Sequence, residues 1–345
     1  MFGLDPLPRS LEASLRDARD PKVWVRRSAV SDLARHGSGE GRARAVEALL
    51  EVLASDPSAE VRAAAAVALA DARAENATSA LVDALGDATE RVRQMALLAL
   101  GEVGDPEDPR LVAAIEEALD GESAPERFQA LIAGARLDLA SSATALVRKT
   151  RDPDREVRHV AFRLLEERAS DADGSVRPSP EVRQCAREGL TDESLSVRTA
   201  AAILLARAQD PAGDDVIAEA CGARSGVLDA EDEQAAIELA GTRQLQAARP
   251  ALTRRAFGAL GLPRSPFAYA ARIALARMGD ARAASAILRG LSAWSRDART
   301  LSVVAAGRAR LEGARALLLA LRGDPRRAEP EAVEEALSLL DAASS

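Results

Sequence analysis

Aromatic side chains are nearly missing from this chain: two Trp, one Tyr and five Phe, 2% of 345 residues. Enzyme cores ordinarily draw more of their volume from large rings. Closely packed helices can do without them, because Ala lets neighbouring backbones approach. Metal chemistry is short of material too. The cysteines are Cys185 and Cys221 and the histidines His36 and His159, with no Cys-x-x-Cys pair and no His/Cys cluster. Neither a metal nor another cofactor is expected, and the thiols read as small core residues in a reducing compartment. No apolar run approaches ~18 residues, so no membrane span is expected. The opening Met-Phe-Gly-Leu-Asp-Pro lacks the basic-then-apolar order of a secretory signal, which points to the cytoplasm. Lysine is confined to Lys22 and Lys149; the other basic residues are Arg. A net charge of −8 argues against a nucleic-acid footprint over the whole surface.

What is present is Ala, Leu and Val in helical register. Asp56 and Pro57 read as an N-cap and first helical residue. Val61, Ala65, Ala68, Leu69 and Ala72 then fall on one face of a helix. After Glu75-Asn76, Leu81, Val82 and Leu85 make a second, shorter stripe that Gly86-Asp87 ends. The same pair recurs. Val25-Arg26-Ala29-Leu33, Val61-Arg62-Ala65-Leu69 and Val92-Arg93-Ala96-Leu100 align, as do Val157-Arg158-Ala161-Leu165 and Val197-Arg198-Ala201-Leu205. Glu126-Arg127-Ala130-Gly134 is a degenerate copy, and weaker ones lie around Phe267-Ala271-Leu275 and Ala298-Arg299-Ser302-Ala306. The steps from 61 to 92, from 126 to 157 and from 267 to 298 are each 31 residues. Asp20, Asp56, Asp87, Asp152 and Asp192 stand five residues before the Val.

This pattern resembles HEAT repeats, specifically the short bacterial repeats of ~30 residues also found in phycobilin lyases. The resemblance covers nearly the whole chain. It implies an all-α solenoid of stacked antiparallel helix pairs, each with a helix A carrying Val-Arg and a helix B carrying the shorter stripe. Residues 1–345 would form a single solenoid of about ten pairs, with irregular breaks near 169–180 and 221–234 and a shorter one at Gly261–Pro266. The repeat serves many unrelated roles, so it implies architecture and leaves function to the surface.

The recurrent Asp and Arg read as structural, the Asp capping helix A and the Arg reaching that Asp or a nearby carbonyl. His36 and His159 have no Ser or Cys at a spacing that suggests a nucleophile, and Gly101-Glu102-Val103-Gly104 ends a helix instead of cradling phosphate. Trp24 and Trp294 read as packing or capping residues more than as interface anchors.

One pattern rises above this. Glu51, Asp83, Glu117, Arg148, Glu188, Glu219, Arg254 and Arg289 occupy one outward position of successive B helices, acidic first and basic last. Residues 240–327 hold 17 Arg against 4 acids, a balance of +13, which leaves −21 for the rest. Arg254, Arg255 and Arg289 are therefore the candidate partner-binding residues. The expected function is a non-catalytic protein-interaction scaffold whose partner presents an acidic surface. An enzyme-accessory protein of the phycobilin-lyase type is the alternative that the resemblance implies. A nucleic-acid backbone binder ranks lower, because the basic zone is short and poor in stacking rings.

Overall fold

Alanine-rich stripes with a 3.6-residue period give helices and almost nothing else. The computed structural model of the chain describes residues 9–258 and 265–344, and among these are 20 α-helices. The one extended pairing among the described residues is an isolated antiparallel bridge, Ser170 to Val176, in the loop expected at 169–180. Residues 261–264 of the expected Gly261–Pro266 break and the opening hexapeptide lie outside the described residues. Among the described residues no helix is long and apolar enough to cross a membrane.

The chain divides into two compact units, Met1–Leu165 and Glu166–Ser345. The first holds α1 (Leu11–Asp17), α2 (Val23–Arg35), α3 (Arg42–Ser55), α4 (Ala59–Asp71), α5 (Thr78–Asp83), α6 (Glu90–Val103), α7 (Pro109–Leu119), α8 (Ala124–Arg136) and α9 (Ser142–Lys149). The division falls within α10 (Arg155–Arg168). The second unit continues with α11 (Pro180–Gly189), α12 (Leu195–Arg207), α13 (Asp214–Cys221), α14 (Ala230–Thr242) and α15 (Arg249–Phe257). It ends with α16 (Ala268–Arg277), α17 (Ala281–Gly290), α18 (Arg296–Arg308), α19 (Arg315–Leu321) and α20 (Pro330–Ser344).

In the first unit the A helices stack in order, α2 on α4, α4 on α6 and α6 on α8, while α3, α5 and α7 each pack on the following A helix. The second unit repeats this with α12, α14, α16, α18 and α20 stacked and α13, α15, α17 and α19 beside them. The expected stripe of α4 is buried throughout, Val61, Ala65 and Leu69 completely. Ala63, Ala66 and Ala70 are buried as well, because α4 is covered by an A helix on either side. Small side chains let those helices close. A Cβ on Gly241 would lie 2.5 Å from Ala274 Cα, and one on Gly307 would lie 2.6 Å from Ala336 Cα. In the shorter stripe Leu81 is buried, whereas Val82 and Leu85 are half-buried.

Six of the A helices, α4, α8, α12, α14, α16 and α18, share one ending. Arg73, Asp138, Gln209, Gln244, Gly279 and Arg310 all have positive φ. After each of them an N–H reaches back five residues, as from Ala74 to the Leu69 carbonyl (3.0 Å) and from Leu245 to that of Ala240 (2.9 Å). This is the left-handed termination that usually selects glycine, and five of the six positions hold another residue.

The break expected at 221–234 is shorter than its composition suggested. Asp229 Oδ1 accepts the Asp232 N–H at 2.7 Å and starts α14, a regular A helix packed on α16. Cys185 and Cys221 are buried and outside any disulfide, as their core-like positions implied. Cys221 Sγ donates to the Ala236 carbonyl at 3.5 Å, and burial pushes its thiol up to about 12.

Candidate functional site

The repeating Asp and Arg build the frame on which any surface is displayed. Asp56 was expected to cap helix A, but that helix begins at Ala59 and its N-cap is Ser58. Asp56 Oδ1 instead accepts the Ser58 N–H at 2.8 Å in a turn just before the helix, and Asp87 does the same for Thr89 at 2.8 Å. The carboxylate is turned this way because its main partner lies a repeat earlier. Arg26 holds Asp56 through Nε and Nη2 at 2.7 and 2.9 Å. Arg62 holds Asp87 at 2.7 and 2.9 Å, and Arg127 holds Asp152 at 2.9 and 2.7 Å. Glu126 takes the place of the Asp for Arg93, at 3.0 and 2.6 Å.

The remaining guanidinium nitrogen ties each Arg to its own helix entry, as from Arg62 Nη1 to the Asp56 carbonyl at 2.8 Å. In the second unit Arg198 repeats the contact to the Asp192 carbonyl at 3.0 Å. The guanidinium of Arg62, followed by the Thr89 N–H, holds the Asp87 carboxyl below its ordinary range against the opposing effect of burial. At Asp56 and Asp152 burial is the largest influence and pushes upward. The Arg hydrogen bond, a backbone N–H and the fields of the nearby cations, with a Lys149 hydrogen bond at Asp152, together outweigh it, and both carboxyls lie low.

The outward B-helix line is exposed at all eight expected positions, four in each unit. Several of its charges are paired with a neighbouring element. In the first unit Glu51 meets Arg19 at 2.9 Å, Asp83 meets Arg110 at 2.6 Å and Arg148 meets Asp120 at 2.8 Å. In the second, Glu219 accepts from Arg198 at 2.7 Å. Arg254 is different: its side chain makes no hydrogen bond or ion pair among the described residues. Arg289 donates only to the Ser285 carbonyl of its own helix, at 3.3 Å, and meets no acid among the described residues.

Arg255 does not belong with them. A residue next to an outward position is turned by about 100° around a helix, and here that turn points inward. Its side chain is 12% exposed and pairs with the buried Glu233. Nε donates to the Cys221 carbonyl at 2.6 Å and Nη2 to that of Ala223 at 2.8 Å. Arg255 therefore fastens the end of α13 and the start of α14 onto α15. Glu233 lies in the stretch whose composition looked irregular, so no periodicity could have announced the pairing.

Much of the arginine excess behaves like Arg255. Arg249 donates to the Met278 carbonyl at 2.7 Å, Arg272 to that of Ala256 at 3.1 Å and Arg299 to that of Arg327 at 2.6 Å. Such contacts satisfy carbonyls that helix ends and loops leave open. Arg282 and Arg272 also lie over the Phe257 ring, at 3.9 and 5.7 Å from its centre. Composition suggested a broad basic field; among the described arginines of 240–327 the fold leaves nine exposed and draws seven partly inward.

Trp294 corrects its expectation. It is 98% exposed at the entry to α18, its ring neither packing nor capping, while its carbonyl accepts from Arg299 at 3.1 Å. Trp24 is 65% exposed.

Comparison with known proteins agrees with this architecture. Residues 46–136 match HEAT repeats and residues 25–55 match the PBS lyase HEAT-like repeat. The chain is a HEAT repeat protein that carries PBS-lyase-like repeats. Among solved structures it is similar to Escherichia coli YibA, at 20% identity over 79% of this chain and 93% of that one, with a TM-score of 0.54. The CpcE–CpcF complex of phycocyanin lyase from Nostoc is 18% identical over 73% of this chain and 96% of that one, with a TM-score of 0.45. No curated protein sequence matches it significantly.

Proposed function

We propose that the chain is a non-catalytic scaffold whose second unit holds a protein partner with an acidic surface through its B-helix face. Arg254 and Arg289 are the contact charges. The observation that carries this reading is their difference from their neighbours. Glu219 in the same line is paired and Arg255 is built into the fold, whereas Arg254 and Arg289 stand exposed with no acid beside them among the described residues. Stacked repeats set helices ~10 Å apart, so two such charges act on a partner together. Guanidinium forks suit carboxylates, and contacts of this kind act mainly on the association rate and weaken as salt rises. The PBS lyase HEAT-like repeat at 25–55 is a repeat geometry that serves many unrelated roles, so it does not by itself favour a lyase over a scaffold.

The test is the association rate of the captured partner as a function of ionic strength. The reading requires a rate that falls steeply with salt, since the Debye length is ~8 Å at physiological strength. It also requires the slope to flatten when Arg254 and Arg289 become Gln. A rate indifferent to salt would rule it out.

A further inference from the structure

We propose that Arg277, Arg308 and Arg310 form a binding site for a phosphate group, at the C-terminal ends of α16 and α18. The site is separate from the B-helix face and does not depend on that reading.

The position two residues before the left-handed ending is a charged column of the A helices. In the first unit Arg136 occupies it and pairs with Glu102 of the preceding A helix. In the second, Arg207 occupies it and pairs with Glu166. The rule is that the Arg reaches back one helix and finds a carboxylate. Arg277 reaches back in the same way, but the residue there is Thr242, whose hydroxyl accepts from Nη1 at 2.6 Å. The next member is Arg308, so the position behind it holds another cation. Arg308 and the left-handed Arg310 are exposed, and their side chains make no hydrogen bond or ion pair among the described residues.

Arg277 is held in place while this happens. It is half-buried and its Nε donates to the Arg308 carbonyl at 2.7 Å. Burial, then the fields of Arg310 and Arg308, make its charge harder to hold, and only Glu238 opposes them. Glu238 is itself exposed and accepts from Gln234 at 2.9 Å. The pull of a helix C-terminus on cations accounts for one Arg at each end. It does not account for Arg308 and Arg310 both acting on the half-buried Arg277, with no acid paired to any of the three among the described residues.

The chemistry of the ligand follows from the chain's own pairings. At Arg26–Asp56 and Arg62–Asp87 one guanidinium fork meets one carboxylate, and at Asp152 and Asp210 one carboxylate gathers two cations. The Thr242 hydroxyl donates to the Glu238 carbonyl at 2.9 Å and holds Arg277 in place, so the donors left for a ligand are guanidiniums, and three of them match a dianion with three terminal oxygens. That is a phosphate group, either as the free ion or carried on a larger molecule.

Calorimetric titration of the full chain tests this, with inorganic phosphate, with a phosphoserine peptide and with the same peptide bearing Glu instead. Either phosphate ligand should bind saturably at one site, and the Glu peptide should bind more weakly. Arg308→Gln with Arg310→Gln should weaken binding roughly tenfold or more, the factor expected from one lost charge-assisted hydrogen bond. Both residues are exposed, so the helical spectrum should be unchanged. Arg254→Gln should leave phosphate binding intact. Equal affinity for the free ion and the peptide would assign a small anion, and tighter peptide binding would assign a phosphorylated partner. No saturable binding by either, or binding unchanged in the double variant, would overturn the proposal.

Discussion

Arg127 in α8 closes on Asp152, in the turn between α9 and α10, in a pair whose side chains are 9% and 1% exposed. Lys149 also reaches that carboxylate, at 3.2 Å. The two cations are therefore unequal in what their loss leaves behind. Breaking a buried pair from one side costs roughly 3–5 kcal/mol. Arg127→Ala leaves Asp152 its lysine and should fall at or below the lower end of that range. Asp152→Ala takes this carboxylate from two buried cations, leaving Lys149 only the exposed Asp120 at 3.4 Å and Arg127 no paired acid among the described residues, and should cost more. Urea unfolding of the two variants orders them, and a costlier Arg127→Ala would contradict the arrangement.

The same pairs set the acid response. Asp56, Asp87 and Asp152 titrate below their ordinary range in the folded chain. Their contribution is therefore complete above the unfolded carboxylate value of about 4 and is lost as pH falls through the lower folded values. Thermal melting should hold steady from neutral pH to about 5 and then decline. Arg62→Met removes the main cause at Asp87 and should flatten the acid limb. An unchanged limb would show that other groups control it.

Gln244 and Gly279 occupy the same repeat position, with φ of 54° and 78°. A side chain there is strained, and a Cβ on Gly279 would touch nothing within 4 Å, so strain is the whole effect at that position. Gln244→Gly should stabilise by about 0.5–1 kcal/mol and Gly279→Ala should cost about as much. Denaturant midpoints of the two variants should move in opposite directions.

Close approach makes the opposite demand at Gly241. A methyl group there would lie 2.5 Å from the Ala274 backbone, so Gly241→Ala should cost roughly 1–3 kcal/mol despite the better helix propensity of Ala. A variant as stable as the parent would mean that α14 and α16 separate easily.

Much of the fold was legible because it rests on local period. Val61, Ala65 and Leu69 announce a buried face wherever the third dimension places them. Asp56 was misread because a capping Asp and an Asp clamped from a repeat away look alike in sequence. Arg255 was misread for a related reason. Charge counts cannot tell a solvated guanidinium from one closed on the Cys221 and Ala223 carbonyls. Trp294 escaped because nothing in its neighbourhood signals how little would cover it. Arg254 and Arg289 were legible, since an outward helical position needs only the register.

The most direct test of the account sets two adjacent arginines against each other. The chain with Arg254→Glu and Arg289→Glu and the chain with Arg255→Glu are compared with the parent for helicity, melting and capture of the partner at low salt. The account predicts that the first keeps its spectrum and melting temperature and loses the partner. It predicts that the second melts lower, because a carboxylate would replace the guanidinium against Glu233 and two carbonyls. Undiminished capture by the first chain, with its fold intact, would contradict the account and place the binding surface elsewhere.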